Sequence, residues 1–156
     1  MKKVSILGAT GSIGLNTIEV ISRHPDKYKI FALSANKSWQ KMLLLCKTHM
    51  PTYAVLIDPD AAESLRKTAP EGVTVLSGEN ALIEIASHKE VDYVMAAVVG
   101  SAGMASTLAA VDAGKRVMLA NKESLVLAGD LLINAAKKSG AELIPVDSEH
   151  SAIFQC

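Results

Sequence analysis

Apolar positions follow two alternating rhythms along the chain. Short, mostly β-branched runs predict strands over 4–7, 29–33, 53–57, 73–76, 93–97, 116–119 and 142–144. Longer segments of helical period lie between them and predict helices over 13–23, 38–48, 60–68, 80–87, 104–113 and 124–139. Ile13, Thr17, Ile18 and Ile21 share one helical face, and Leu125, Leu132, Ala136 and Ser139 fall near another. Turn residues mark the joints: Pro25-Asp26, Pro59-Asp60, Gly72, Gly78, Gly114 and Gly140. Strand–helix–strand units with short connections call for a parallel sheet with right-handed crossovers. The fold class is therefore α/β, a doubly wound parallel sheet over residues 1–146, with no internal repeat or low-complexity tract. The stretch 147–156 reads as the start of something else.

Composition fits that fold. Of 156 residues, 49% are apolar and only 4% aromatic, the aliphatic profile of a sheet covered by helices on both faces. Sixteen basic residues balance sixteen acidic ones, and no basic stripe stands out. That argues against nucleic acid or an acidic membrane as a partner, and leaves a small anionic ligand at a local site open. The apolar run beginning at Val4 meets Gly8 well short of the roughly 7–15 residues of a signal core. No segment approaches the ~18–20 apolar residues of a membrane span. Cys46 and Cys156 show no metal-ligand spacing and no disulfide framework. A soluble, cytoplasmic protein with two unreactive thiols is expected.

The first strand-to-helix joint carries the clearest chemistry. The string GATGSIG places Gly8, Gly11 and Gly14 between the first strand and the first helix. Gly8 suits the unusual backbone of the turn, Gly11 admits a pyrophosphate, and Gly14 lets helix pack closely on strand. The helix start offers unpaired N–H groups and a partial positive charge, with the hydroxyls of Thr10 and Ser12 nearby. At the first joint of such a chain, this is a Rossmann-like dinucleotide site. Sites for NAD place a carboxylate near the end of the second strand, to hold the ribose 2′-hydroxyl. Here that region reads Asn36-Lys37-Ser38, with no acid. A 2′-phosphate would be welcomed by Lys37 and two neutral donors, which favours NADPH. A plain loop lysine before a Ser38 helix cap is the competing account.

Two further clusters sit at predicted strand ends. Asn121, Lys122 and Glu123 follow the sixth strand and open the last helix. Asn121 can cap that helix and Glu123 suits its dipole. Equally, that edge of the sheet lines the cofactor crevice, where Lys122 would meet a substrate anion. Asp147 and Glu149 lie two apart beyond the seventh strand. In extended backbone both would point to one side and could share a hard divalent cation such as Mg²⁺ or Mn²⁺. The alternative is an Asp147 cap on a helix starting at Ser148. Two carboxylates do not complete such a metal site, and further oxygen ligands must come from elsewhere.

Taken together and in order, GATGSIG, VMAAVVGSAGMASTLAAVDAGK, LANKESLV and PVDSEHSAIFQ resemble the N-terminal part of the 1-deoxy-D-xylulose 5-phosphate reductoisomerase family. That resemblance implies an NADPH- and divalent-metal-dependent conversion of 1-deoxy-D-xylulose 5-phosphate to 2-C-methyl-D-erythritol 4-phosphate, in the non-mevalonate route to isoprenoids. It implies that Thr10, Gly11, Ser12 and Ile13 contact the cofactor phosphates, and Asn36, Lys37 and Ser38 its 2′-phosphate side. Asn121 and Glu123 become cofactor contacts, and Asp147 and Glu149 metal ligands. Lys122, Ser148 and Glu149 become the catalytic, substrate-touching groups. The implied substrate is a phosphorylated sugar, and the full-length protein is expected to be a homodimer. Family members continue with a third acidic ligand and a lid, so the chain is expected to be a truncated piece, with 147–156 opening the catalytic, metal-binding domain. The rivals are another NADP-dependent dehydrogenase and a non-catalytic NADP-binding module. A semialdehyde dehydrogenase would need a nucleophilic cysteine, and Cys46 falls mid-helix.

Overall fold

The computed structural model describes residues 1–120 and 122–146, with the backbone alone for 122–124. Seven strands alternate with six helices: β1 (Lys2–Leu7), α1 (Ser12–Arg23), β2 (Tyr28–Ala35), α2 (Trp39–His49), β3 (Tyr53–Leu56), α3 (Pro59–Thr68), β4 (Thr74–Ser77), α4 (Glu79–Ser87), β5 (Tyr93–Ala96), α5 (Gly100–Asp112), β6 (Arg116–Leu119), α6 (Lys122–Ser139) and β7 (Glu142–Pro145). All strands pair in parallel, in the order β4-β3-β2-β1-β5-β6-β7. The chain winds outward from β1 to β4, crosses back to β5, and winds outward again. This is the Rossmann-like architecture the sequence predicts. Its topological switch point lies between β1 and β5, where ligands of open α/β sheets bind at the carboxyl ends of the strands.

Alternation along the central strands sorts side chains into two layers. Val4 and Ile6 of β1 pack with Ile18 and Ile21 of α1, Met42 and Cys46 of α2, and Leu65 of α3. Leu7, Val94, Ala96 and Val117 point the other way, onto Leu82 and Ile85 of α4, Val111 of α5 and Leu132 of α6. Fully burying a side chain of this size is worth about 1.5–3 kcal/mol, so each layer holds its helices firmly. On the α1 side, β5–β7 carry no helix among the described residues. An apolar groove of about 460 Å³ lies there, lined by Tyr93, Met95, Met118, Ile144 and Val146 beside the flank of α1.

Several expectations shift in detail. Strand β2 runs on to Ala35 because Ser34 and Ala35 still pair with Val55 and Leu56 of β3. Helix α5 starts at Gly100, not at 104. The run of small residues reads as loop, yet Gly103 is what lets the helix start seat on the strand end. Within α6, Ala128 leaves helical geometry (φ −136°, ψ 21°), so the segment is two helical pieces across a kink. Ile13 is exposed although it shares a face with Ile18 and Ile21, because it borders the groove over β5–β7 that no described helix covers. Ser38 precedes α2 as its cap residue but makes no side-chain cap hydrogen bond. No helix among the described residues is long and apolar enough to cross a membrane.

Candidate functional site

The glycine joint sits at the switch point. Gly8 takes φ +86°, a left-handed backbone that side chains rarely adopt. A Cβ there would meet the Ala97 carbonyl oxygen at 2.7 Å, so the joint presses against the end of β5. Gly14 has ordinary φ but no room: its Cβ would lie 2.3 Å from Gly8 O and 2.6 Å from Ala9 Cα. The first turn of α1 therefore packs directly on the strand-end backbone. Gly11, by contrast, is exposed, and an added Cβ would meet only Gly8 O at 3.6 Å.

Hydrogen bonds define what this joint has left to offer. Gly8 N–H donates to Ser34 Oγ at 3.1 Å and Ala9 N–H to Ser34 O at 2.7 Å. Gly11 N–H reaches back to Gly8 O at 3.3 Å, and the first helical bond runs from Leu15 N–H to Gly11 O. The N–H groups of Thr10, Ser12, Ile13 and Gly14 meet no acceptor among the described residues. Gly11 caps α1 with no side chain, and the first turn holds no acidic residue. The result is an open helix start with no side-chain cap, whose partial positive charge meets no acidic group among the described residues of its first turn, which is what an anion requires.

Asn36, Lys37 and Ser38 emerge from β2, next to β1 in the sheet, so they border the same crevice. Asn36 and Lys37 are exposed and Ser38 is half-buried. The loop backbone is tied down: Asn36 O accepts from Asp58 N–H at 3.1 Å, and Lys37 O from Trp39 N–H at 2.7 Å. None of the residues that follow β2 in this loop, 36–38, carries a carboxylate. The geometry thus gathers Gly8, Thr10, Gly11, Ser12, Ile13 and Gly14 with Asn36, Lys37 and Ser38 at one edge of the sheet.

The remaining sites of interest are not all described. Asn121, Asp147, Ser148 and Glu149 lie outside the described residues, as do the side chains of Lys122 and Glu123. The helix that begins at Lys122 follows β6 at the same sheet edge as α1. Among the described residues, no group of three His, Cys, Asp or Glu could hold a metal ion. Cys46 is buried beneath α2, and burial pushes its thiol up to about 11. A thiol so hard to ionise is no nucleophile. His88 packs on Phe31 with ring centroids 4.8 Å apart, a structural role. Buried Lys115 belongs to the opposite edge of the sheet, where its Nζ donates to Val91 O at 2.6 Å.

Sequence reasoning assigned no site role of its own to the joint between β5 and α5. Residues 97–101 form the facing wall of the crevice, touching Gly8 through Ala97. There Gly103 repeats the device seen at Gly14: a Cβ would meet Val98 O at 2.2 Å. A second glycine-punctuated turn after a strand, VVGSAG, was the available signal.

The chain is similar to known proteins along its whole length. The family model for 1-deoxy-D-xylulose 5-phosphate reductoisomerase matches residues 4–129. A 1-deoxy-D-xylulose 5-phosphate reductoisomerase of Vesicomyosocius okutanii is 56% identical over 156 residues, covering 100% of this chain and 41% of its own length. The chain thus spans about two-fifths of that relative. The solved structure of the Zymomonas mobilis enzyme in complex with NADPH superposes with a TM-score of 0.94 at 46% identity, covering 99% of this chain and 41% of that one. A reductoisomerase structure with NADPH, fosmidomycin and magnesium gives a TM-score of 0.94 at 49% identity, covering 100% of this chain and 39% of that one. On a match of this extent, with the glycine joint inside it, the chain belongs to the 1-deoxy-D-xylulose 5-phosphate reductoisomerase family.

Proposed function

We propose that this chain is the NADPH-binding part of an enzyme that converts 1-deoxy-D-xylulose 5-phosphate to 2-C-methyl-D-erythritol 4-phosphate. The observation that carries the cofactor reading is the bare start of α1: free N–H groups, no cap side chain and no acid in the first turn. Similarity to a reductoisomerase bound to NADPH supports it. The N–H groups of Thr10, Ser12, Ile13 and Gly14 face the pyrophosphate in this reading, and Gly11 leaves room for it to approach the backbone. Lys37, with Asn36 and Ser38, receives the 2′-phosphate, where a carboxylate would repel it.

Residues 1–146 then form the cofactor domain, and 147–156 begin the catalytic, metal-binding domain. Asn121 and Glu123 approach the nicotinamide end, and Lys122 meets a substrate anion. Asp147 and Glu149 share a divalent cation, Mg²⁺ by analogy with the magnesium in a related structure, while Ser148 and Glu149 touch substrate. When bound, the cation supplies Lewis-acid polarisation of the substrate carbonyl and NADPH supplies hydride. The chain's own contribution is to orient the nucleotide at the switch point and to keep Cys46 out of the chemistry. The whole protein acts in this reading as a homodimer on a phosphorylated sugar.

Calorimetry with NADPH and NADH tests the cofactor assignment. NADPH is expected to bind more tightly. Lys37→Ala should weaken NADPH at least about tenfold, the scale of a lost charge-assisted contact, and leave NADH within about twofold. Equal affinities for the two nucleotides in the parent chain would refute the role of Asn36-Lys37-Ser38.

A further inference from the structure

The hydroxyl of Ser34 is a buried polar group with no role in the site as described so far. Ser34 is 1% exposed at the end of β2, and its Oγ accepts the Gly8 N–H at 3.1 Å. Its carbonyl takes the Ala9 N–H at 2.7 Å. Among the described residues it is the one side chain that accepts a hydrogen bond from the backbone of the Gly8–Gly14 joint. The two bonds differ in kind. The carbonyl bond is available to any residue at position 34, whereas the Gly8 bond exists only because the side chain carries a hydroxyl.

Gly8 is where the joint is conformationally freest, since it has no Cβ and sits at φ +86°. Fixing its N–H against β2 sets the path of the next residues, and so the direction in which the N–H groups of Thr10, Ser12, Ile13 and Gly14 present themselves. We propose that Ser34 is a positioning residue for phosphate binding. It holds the first turn of the joint against β2, so that the unpaired N–H groups converge on the pyrophosphate. The role rests on the NADPH reading above, and acts through Gly8 without touching the ligand.

The test compares two ligands in the parent chain and in Ser34→Ala. NADPH carries the pyrophosphate, while adenosine 2′-phosphate reaches only the Asn36–Ser38 side. Ser34→Ala is expected to weaken NADPH about fivefold, the scale of one backbone hydrogen bond, and to leave adenosine 2′-phosphate within about twofold. The Gly8 amide should exchange with solvent faster in Ser34→Ala, read by NMR. Ser34→Thr keeps the hydroxyl and should keep both Gly8 protection and NADPH affinity. Unchanged NADPH affinity in Ser34→Ala, or equal weakening of both ligands, would overturn the positioning role alone. Failure of the parent chain to bind NADPH at all would overturn the cofactor reading and the role with it.

Discussion

Helices α1 and α3 begin at the same edge of the sheet and on the same face, after parallel strands β1 and β3 that β2 separates, yet they begin in opposite ways. Asp58 caps α3, with its Oδ1 accepting the Ala61 N–H at 2.8 Å. Pro59 follows with no N–H to satisfy, and Asp60 adds a negative charge to the first turn. Helix α1 has Gly11 where α3 has Asp58, Ser12 in place of Pro59, and no acid in its first turn. A side-chain cap is worth about 0.5–2 kcal/mol to a helix. Helix α1 forgoes it at the switch point, where a ligand can supply the missing negative charge, while α3, farther out beside β4, supplies its own. Helix α5, which faces α1 across the crevice, also starts with no side-chain cap and no acid in the first turn. The bare starts therefore flank the crevice.

Two substitutions would break that contrast. The larger effect on folding is expected from Gly14→Ala. Its Cβ would sit 2.3 Å from Gly8 O and 2.6 Å from Ala9 Cα, both backbone atoms that cannot swing aside. The corresponding third position of α3, Ala61, carries a buried Cβ without difficulty. Helix α1 would have to lift from the strand, at a cost of about 3 kcal/mol or more, read as a drop in the urea midpoint, with NADPH binding lost. Wild-type stability in Gly14→Ala would show that α1 is not seated on the joint. Gly11→Asp should do the reverse and make α1 resemble α3. The position is open, with φ −80° and ψ 169° fit for a capping residue. Stability should rise by a few tenths of a kcal/mol. NADPH affinity should fall about 100-fold or more, because the new carboxylate occupies the phosphate's place and repels it. Retained NADPH binding in Gly11→Asp would place the pyrophosphate somewhere else.

The order of thirteen elements, the parallel sheet and the glycine joint were legible because each has a local signature: period, punctuation, and glycines at a strand-to-helix turn. What escaped was set by tertiary contact. Nothing local announces that Ser34 continues β2, since its place there depends on pairing with Val55 of β3. The small residues at the start of α5 look like loop until the turn after β5 brings up the Val98 carbonyl, against which only a glycine at 103 fits. Ile13 falls on the apolar side of the α1 helical wheel, yet it borders the open groove over β5–β7 and stays exposed. For the site, glycine spacing and the missing acid after β2 pointed to the crevice. Residues 97–101 did not stand out, because a facing wall is recognisable only once β5 is known to lie beside β1.

The smallest expected effect falls on the other side of the comparison. Asp58→Ala removes the cap of α3 and leaves the Ala61 N–H without its partner. Pro59 still presets the first helical turn and Leu65 stays buried beneath the helix, so α3 should persist. The loss should be about 1 kcal/mol, a drop of about 2–4 °C in Tm for a chain of this size. NADPH affinity should stay within about twofold. Among the described residues, the hydrogen bond from Asp58 to the proposed 2′-phosphate side is its backbone N–H donating to Asn36 O at 3.1 Å, and alanine keeps that bond. Thermal unfolding and calorimetry on the same variant separate the two outcomes. A stability loss with unchanged binding would show that the α3 start serves the fold alone. A marked loss of NADPH affinity would mean that the cap of α3 also sets the Asn36–Ser38 loop, and that the two helix starts are less independent than their different capping suggests.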